Sequence, residues 1–237
     1  MAKEVVVKAE KIYSRKKKYK KTKIILAISL LSLSLIFIIL GVIYKGGKFT
    51  ITLDTRLARE NEIVIYENHE MPEETIKLVA QDMNFMDNIS INWLPKNIDT
   101  EKDGSHNGEN YIAYTFYIKN KGTETVNYWY TVKIDDVIKK VDEAARVMVY
   151  FNGEKKVYAK INGITNLPEK DTEAFYDDKT AVLEQRKDFK PEDVDKFTIV
   201  IWLEGDDPDC IDSILGGEIK MHMEIREEYG EKKEKKW

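Results

Sequence analysis

Hydrophobic and polar positions separate most sharply at the start of the chain. An apolar run without a charged residue extends over 21 positions, from Ile24 to Tyr44. As a helix it would be about 30 Å long, which matches the hydrocarbon core of a bilayer. Ten Lys and Arg residues precede it, within residues 1–23. Because such residues stay on the cytoplasmic side, we predict a cytoplasmic tail at 1–23, a transmembrane signal-anchor at 24–44 and the rest of the chain outside the cell membrane.

A cleaved signal sequence is the alternative to an anchor. Its apolar stretch would be about 7–15 residues long, with small residues at the cleavage site. The run here is longer, and the segment Gly41–Lys48 contains no Ala-x-Ala pattern. We therefore predict a retained single-pass span, whereas the alternative is a long signal cut near Gly46 and Gly47. With a retained span, the basic stretch sets the membrane topology. The alternative role for such a stretch is to bind nucleic acid or anionic lipid.

Beyond the anchor, apolar and polar residues alternate with the period of β-strands. Two alternating runs, Tyr111–Asn120 and Val126–Ile134, are separated by a short segment that contains Gly122. Two period-2 runs joined by a short glycine-containing turn predict a β-hairpin. The apolar set of each run would then line one face of the same sheet.

A second hairpin and two long strands follow the same pattern. The runs 147–151 and 154–159 flank Asn152-Gly153, the pair preferred in a type I′ turn. The run Phe197–Leu203 is apolar on both faces, which predicts a central strand covered on both sides. The run Glu218–Ile225 alternates cleanly and predicts the last strand.

These elements predict a mainly β fold. Strands at this spacing, without βαβ alternation, favour an antiparallel β-sandwich of Ig-like or jelly-roll type at residues 45–226, followed by a charged tail at 227–237. The remaining predicted elements are short strands at 49–53, 62–66 and 89–94, helices at Glu73–Met83 and Ile138–Arg146, a polar loop at 97–110, and a long excursion at 162–195 with a strand near 180–185.

Charge is divided unequally along the chain. Residues 1–45 hold 11 Lys/Arg and 2 Asp/Glu, a balance of +9; the remainder holds 38 − 11 = 27 and 42 − 2 = 40, a balance of −13. An acidic domain repels phosphates, so we predict no nucleic-acid partner. The single cysteine, Cys210, excludes an internal disulfide framework. An exported chain of this composition resembles Gram-positive bacterial proteins more than eukaryotic secreted ones.

One acidic loop is the candidate metal site. Hard oxygen ligands suit Ca²⁺, the one cofactor that the sequence suggests. Their order does not match an EF-hand loop, and the alternative is a loop with a short turn capped by Asp209 or Asp212 and ended by Gly216-Gly217. Cys210, in the same loop, is interpreted as a buried side chain or an intermolecular disulfide rather than a nucleophile. The candidate ligands are Glu204, Asp206, Asp207, Asp209 and Asp212.

Catalytic motifs give little support to an enzyme. The three histidines are His69, His106 and His222, and no His-Glu-x-x-His zinc motif occurs. No glycine-rich phosphate loop and no Gly-x-Ser-x-Gly elbow occurs either. A separate candidate is an aromatic binding patch formed by Tyr111, Tyr117 and Trp129. Its alternative is packing of these side chains beneath the 162–195 excursion.

Three segments resemble one family. The unit Ile112–Ile134, with its Lys-Asn-Lys-Gly break before a Tyr-rich strand, is similar to the strand, Asn-x-Gly turn, strand unit of TasA/camelysin-type exported β-sandwich proteins. The segments Val141–Tyr150 and Thr198–Glu204 also resemble that family. The resemblance implies a surface or extracellular matrix protein, which in that family can assemble into fibres by strand exchange, and some members are described as metalloproteases. The retained span and the missing Tyr-Phe-x-Asp start depart from the family.

The sequence therefore predicts a non-enzymatic cell-surface protein, anchored in the membrane through Ile24–Tyr44, for adhesion, matrix organisation or envelope scaffolding. Its expected partners are other surface proteins or copies of itself. One alternative is a camelysin-like secreted metalloprotease. The other is the ligand-binding ectodomain of a membrane regulatory complex, because a cytoplasmic tail of 23 residues is too short to be a signalling domain.

Overall fold

The computed structural model describes residues 2–44, 48–83, 85–163 and 165–228, and the chain divides into two units after residue 47. The first unit is one continuous helix, α1 (Ala2–Tyr44). Within α1, the segment Lys18–Ile39 is long and apolar enough, by length and composition, to cross a membrane. The predicted anchor is thus one N-terminal apolar helix of sufficient length.

The second unit is mainly β. Its one α-helix among the described residues is α2 (Thr55–Glu60), where the Asp54 side chain accepts the Arg56 backbone N–H as an N-cap. Short 3₁₀ turns lie at Ile91–Trp93, Val141–Glu143 and Asp212–Ile214. The strands are β1 (Thr50–Leu53), β2 (Ile63–Tyr66), β3 (Lys77–Val79), β4 (Asn88–Ile89), β5 (Gly104–Ser105), β6 (Tyr111–Asn120), β7 (Val126–Ile138), β8 (Ala145–Phe151), β9 (Glu154–Ala159), β10 (Glu173–Ala174), β11 (Thr180–Phe189), β12 (Val194–Glu204) and β13 (Glu218–Arg226).

The strands form two sheets. The five-stranded sheet has the order β11-β7-β13-β1-β3. The eight-stranded sheet has the order β10-β9-β8-β12-β6-β2, with β4 beside β12 and β5 beside β6. Neighbouring strands are antiparallel except for the parallel pairs β1–β13, β9–β10 and β4–β12. The two sheets share one buried apolar cluster, so the prediction of a mainly β sandwich is confirmed.

The main core lies between the sheets and is rich in aromatic rings. Phe197 of β12 stacks on Phe116 with 5.2 Å between ring centroids and meets Tyr130 of the opposite sheet edge-on at 5.0 Å. Phe151 closes the group at 4.9 Å from Phe197. Each large apolar side chain buried in this way contributes about 1.5–3 kcal/mol. Alternate residues of β6, β7, β12 and β13 supply 13 of the 29 described residues that are buried in this core, as the period-2 pattern predicts.

The first predicted hairpin is wrong. β6 pairs with β12 and β2 in the eight-stranded sheet, whereas β7 pairs with β11 and β13 in the five-stranded sheet. The connection crosses from one sheet to the other and is held by Asn120, whose amide donates to the Glu124 and Phe189 carbonyls at 2.9 and 3.0 Å. Alternation identifies which face of a strand is apolar, but it does not identify the strand's partner. Two strands in different sheets can both direct their apolar faces into the core between the sheets.

The second predicted hairpin is correct. β8 and β9 pair in antiparallel register around Asn152 and Gly153, whose φ angles are 50° and 86°. Two positive φ values are what a type I′ turn requires. The central strand is also confirmed, because β12 lies between β8 and β6. The last strand is confirmed as β13, between β7 and β1.

The helix predictions within the β domain are wrong. The segment Glu73–Met83 contains β3, which pairs with β1 and buries Leu78 between two exposed neighbours. Sheet pairing there overrides a helical spacing of apolar residues. The segment Ile138–Arg146 is the end of β7, one 3₁₀ turn and the start of β8. The predicted strand 89–94 forms only the end of β4 and a second 3₁₀ turn.

A cap segment, residues 85–98, covers the outer face of the eight-stranded sheet. Its Ile89, Leu94 and Ile98 pack on Trp202 in a second buried cluster. The sequence assigned such covering to the 162–195 excursion, which instead contributes β10 and the long strand β11. The predicted loop 97–110 includes β5, and the predicted tail lies outside the described residues from position 229 onward.

Candidate functional site

The acidic loop after β12 lies against the cap segment. Gly205 donates its backbone N–H to the Ile89 carbonyl at 3.0 Å, next to the parallel β4–β12 pairing. The Ser90 hydroxyl donates to the Asp206 carboxylate at 2.6 Å. The candidate metal loop is therefore fastened to a segment that is distant in sequence.

Glu204 has a structural role. Its side chain is buried, and Oε2 accepts hydrogen bonds from the Ile91 backbone N–H and the Trp202 indole N–H, both at 3.1 Å. Its Oε1 accepts from the Asp206 N–H at 3.3 Å. A buried carboxylate needs such donors to offset desolvation. Glu204 thus anchors the cap segment to the sheet, and both of its carboxylate oxygens accept hydrogen bonds from the protein.

Asp207 is held by a buried cation. Its carboxylate forms an ion pair with Arg146 of β8, and both side chains are almost completely inaccessible to solvent. Its other oxygen accepts the Asp209 backbone N–H at 2.7 Å. The turn is therefore capped by Asp207 rather than by the predicted Asp209 or Asp212, and the 3₁₀ turn at Asp212–Ile214 has no side-chain cap.

The five predicted ligands do not converge. Two of them, Asp207 and Asp209, have oxygens within 4.8 Å of each other and of Glu169, which lies in the 162–195 excursion. Asp206 is bonded to Ser90, and Asp212 is exposed at the start of a 3₁₀ turn. The Glu169–Asp207–Asp209 group offers oxygen ligands of the kind that Ca²⁺ prefers. The positive charge of Arg146 lies beside Asp207 and weakens the attraction of this three-carboxylate group for a cation.

Sequence reasoning missed Glu169 because only tertiary structure brings it to the loop. Its carboxylate accepts a hydrogen bond from the Asn162 amide at 3.0 Å, and its carbonyl accepts from the Thr172 hydroxyl at 2.8 Å. Cys210 is half-buried in the same loop as a free cysteine, and its Sγ accepts from the Asn88 amide at 3.1 Å. The thiol therefore helps to hold the loop against β4.

The predicted aromatic patch does not form one surface. Tyr111 and Tyr117 lie on β6 and Trp129 on β7, in different sheets. Tyr117 is buried, stacks on Tyr66 at 5.5 Å and donates its hydroxyl to Asp103 at 2.7 Å. Burial, together with the hydrogen bond to Asp103, raises the pKa of Tyr117.

Tyr111 packs against the second buried cluster, while Trp129 is half-buried. The cap segment, rather than the 162–195 excursion, covers this side of β6. The three aromatic side chains therefore do not form a shared binding patch.

Four large apolar side chains of the cap segment and of the acidic loop and its end are exposed to solvent. Phe85 and Trp93 of the cap segment are each 75% exposed, and Ile211 and Leu215, in and just after the loop, are 57% and 65% exposed. We call these four residues the loop face. Contiguous patches of large exposed apolar side chains mark contact surfaces. The sequence interpreted 89–94 as a strand, so it gave no sign that Trp93 would point into solvent.

The histidines are used in structural contacts. The His106 ring lies between the Gly104 and Ile98 carbonyls, 2.9 and 3.1 Å from its two nitrogens. The His222 ring lies between Asp135 at 2.8 Å and Glu224 at 3.3 Å. His69 lies against Tyr117 at 5.0 Å. Within the described part of the chain, the cluster of side chains that could hold a metal ion consists of Glu169, Asp207 and Asp209 and includes no histidine.

Comparisons with known proteins identify no family. No protein-family model matches the chain, and no curated protein matches it. One matching structure is that of a beta-glucosidase from Kluyveromyces marxianus in complex with glucose, with 14% sequence identity and a TM-score of 0.25. The match covers 71% of this chain but 15% of the enzyme chain. A likeness with so low a TM-score carries no argument about fold or activity.

Proposed function

We propose that this protein is a membrane-anchored cell-surface protein that acts by binding, in adhesion, matrix organisation or envelope scaffolding. The proposal rests on the order in which three parts follow one another along the chain. An exposed apolar helix long enough to span a bilayer follows a basic stretch and precedes a separate β domain with its own core. The positive-inside rule favours residues 1–23 in the cytoplasm and the β domain outside.

The loop face is the proposed contact surface. Its four apolar side chains lie in two segments that are fixed to each other by the Ser90–Asp206 and Asn88–Cys210 hydrogen bonds. A rigid surface loses little conformational entropy on binding, which favours affinity. The partners that fit are another surface protein or a second copy of the chain, because exposed aromatic and aliphatic side chains bury well against a similar apolar surface.

We also propose that the sandwich is of jelly-roll type. The support is the order in which the long strands change sheets: β6, β8, β9 and β12 belong to one sheet, and β7, β11 and β13 to the other. Alternation between two packed sheets is a property of jelly rolls. The parallel β1–β13 pair departs from an all-antiparallel arrangement. A relationship to TasA/camelysin-type proteins stays part of this proposal, supported by the strand segments quoted above.

Membrane topology tests the anchor. Full-length protein, expressed with an epitope at its C-terminus, should remain in the membrane after alkaline extraction. Protease added to intact cells should digest the β domain and leave a short N-terminal fragment. A soluble released chain that begins near residue 47 would contradict the anchor and support a secreted matrix subunit instead.

Surface variants test the contact role. The double change Phe85→Ser and Trp93→Ser should reduce cell–cell adhesion, or self-association in detergent measured by sedimentation, without lowering the melting temperature. The matched control is Met71→Ser with Val79→Ser, two exposed apolar residues outside the loop face. Equal behaviour of the two variants in both assays would remove the loop face from the proposal.

A further inference from the structure

The lysines next to the apolar run form a collar around α1. The side chains of Lys18, Lys20, Lys21 and Lys23 are all exposed. With about 100° of rotation per residue, they point at about 0°, 200°, 300° and 140° around the helix axis. No arc wider than about 140° lacks a lysine. The positive charge therefore encircles the helix instead of forming a stripe along one side.

The collar has the depth of a headgroup layer. Lys18 and Lys23 are separated by about 7.5 Å along the helix axis. The polar region on one side of a bilayer is about 5–8 Å thick, outside a hydrocarbon core of about 30 Å. If the core begins at Ile24, the four lysines occupy the adjoining headgroups. The ring of Tyr19, 66% exposed, lies 4.7 Å from the Lys23 ammonium, as suits an aromatic side chain at an interface.

From this arrangement we infer that the collar binds anionic phospholipid and gathers a shell of it around α1 in the cytoplasmic leaflet. The inference rests on the proposed membrane anchor and adds the chemistry of the lipid that the anchor selects. A partner that surrounds a helix must approach from every side, which the headgroups of a leaflet do. A nucleic acid or a protein would contact one side and leave the opposite lysines unpaired.

The experiment uses the full chain in vesicles of phosphatidylcholine with phosphatidylglycerol as a minor component. Trace amounts of either lipid carry a spin label, and electron paramagnetic resonance measures the fraction that is motionally restricted by the protein. Phosphatidylglycerol should be restricted about two- to fivefold more than phosphatidylcholine, since each surface lysine adds attraction. At 1 M salt, where the screening length is about 3 Å, the preference should fall toward one.

Two quadruple variants separate collar charge from overall charge. The first variant replaces Lys18, Lys20, Lys21 and Lys23 by Gln. It should lower the preference, while six of the ten basic residues before Ile24 remain to set topology. The matched control replaces Lys155, Lys170, Lys179 and Lys187 by Gln, four exposed lysines of the β domain. It changes the net charge equally and should leave the preference unchanged.

The outcomes distinguish the collar from the anchor. Equal restriction of both lipids by a protein that stays membrane-bound after alkaline extraction would overturn the collar and leave the anchor intact. A protein absent from the vesicles would overturn both. If the collar variant lost binding to a single-stranded oligonucleotide while lipid preference stayed the same, the lysines would serve nucleic acid, and the lipid inference would be wrong.

Discussion

The outer faces of the two sheets differ in the side chains that they carry and in their environments. On the eight-stranded sheet, Val200 and Trp202 point outward and are completely buried beneath the cap segment. On the five-stranded sheet, Trp129, Lys133 and His222 point outward and keep partial exposure. The difference shows that a strand with two apolar faces needs a covering segment, whereas a strand with one polar face does not.

Ion pairs follow the same division. We call the outer face of the eight-stranded sheet the covered face and that of the five-stranded sheet the open face. The covered face holds the Arg146–Asp207 pair, whose two side chains are buried. The open face holds the Arg226–Glu224 pair at 2.6 Å, where the Arg226 side chain is 49% exposed. Desolvation makes a buried charge costly once its partner is removed, while water replaces a lost partner at the surface.

The sharpest test of the two faces is a pair of tryptophan variants. Trp202→Ala should lower the free energy of unfolding by about 3–5 kcal/mol, because it leaves a cavity under the cap segment and removes the indole donor to Glu204. Trp129→Ala should cost about 1 kcal/mol, since water can fill the space it leaves. Urea unfolding of the full chain in detergent, followed by circular dichroism, measures both. Equal losses would show that the faces do not differ in packing.

Arginine variants test the ion pairs. Arg146→Met should cost about 3–5 kcal/mol because Asp207 stays buried without a cation. Arg226→Met on the open face should cost about 0–1 kcal/mol. The double variant Arg146→Met with Asp207→Leu should recover part of the loss, and the double-mutant cycle reports the coupling. Full additivity of the two single changes would mean that the pair contributes nothing to stability.

The loss of stability at alkaline pH tests the burial of Tyr117 on the outer face of the eight-stranded sheet. The pKa of Tyr117 is raised, so in the folded state its hydroxyl stays neutral at pH values where an unfolded tyrosine, with a pKa of about 10, ionises. The stabilisation that neutral Tyr117 contributes is complete below pH 10 and is lost as the pH rises above 10 toward the raised pKa of the folded state. The Tyr117→Phe variant should show a shallower loss of stability in urea titrations above pH 10. Identical slopes would contradict the assignment.

Calcium should have the smallest effect. If Glu169, Asp207 and Asp209 bind Ca²⁺ with a dissociation constant of about 0.1–1 mM, concentrations a few times higher should stabilise the domain by about 1 kcal/mol. Asp209→Asn should remove the increase in melting temperature, while Asp135→Asn on the open face should not. No heat in calorimetric titration and no change in melting temperature would end the calcium hypothesis.

Predictions from local signals were correct where one short segment contains all the necessary information. Asn152-Gly153 specifies its turn because both residues tolerate positive φ, and its hairpin formed as expected. The connection after Asn120 has a glycine too, but for another reason. A Cβ on Gly122 would lie 2.4 Å from the Asn61 carbonyl oxygen, so a close backbone approach, invisible in sequence, requires the glycine.

The candidate site was less predictable than the fold. The acidic loop was identified correctly as a dense polar feature, but its carboxylates have different uses, assigned by Ser90, Arg146 and Trp202 from other elements. Glu169 joins the loop only through tertiary structure. The exposure of Trp93 depends on a 3₁₀ turn that apolar content alone does not distinguish from a strand.

The sequence by itself determined the apolar helix, the basic flank, the β class of the domain and which residues of each long strand face the core. These follow from periodicity and charge, which are properties of short stretches of chain. Only the tertiary structure decided which strands pair, that β6 and β7 belong to different sheets, and that residues 85–98 cover one outer face. Pairing and covering depend on contacts between distant segments, because an apolar face is buried equally well by any complementary surface.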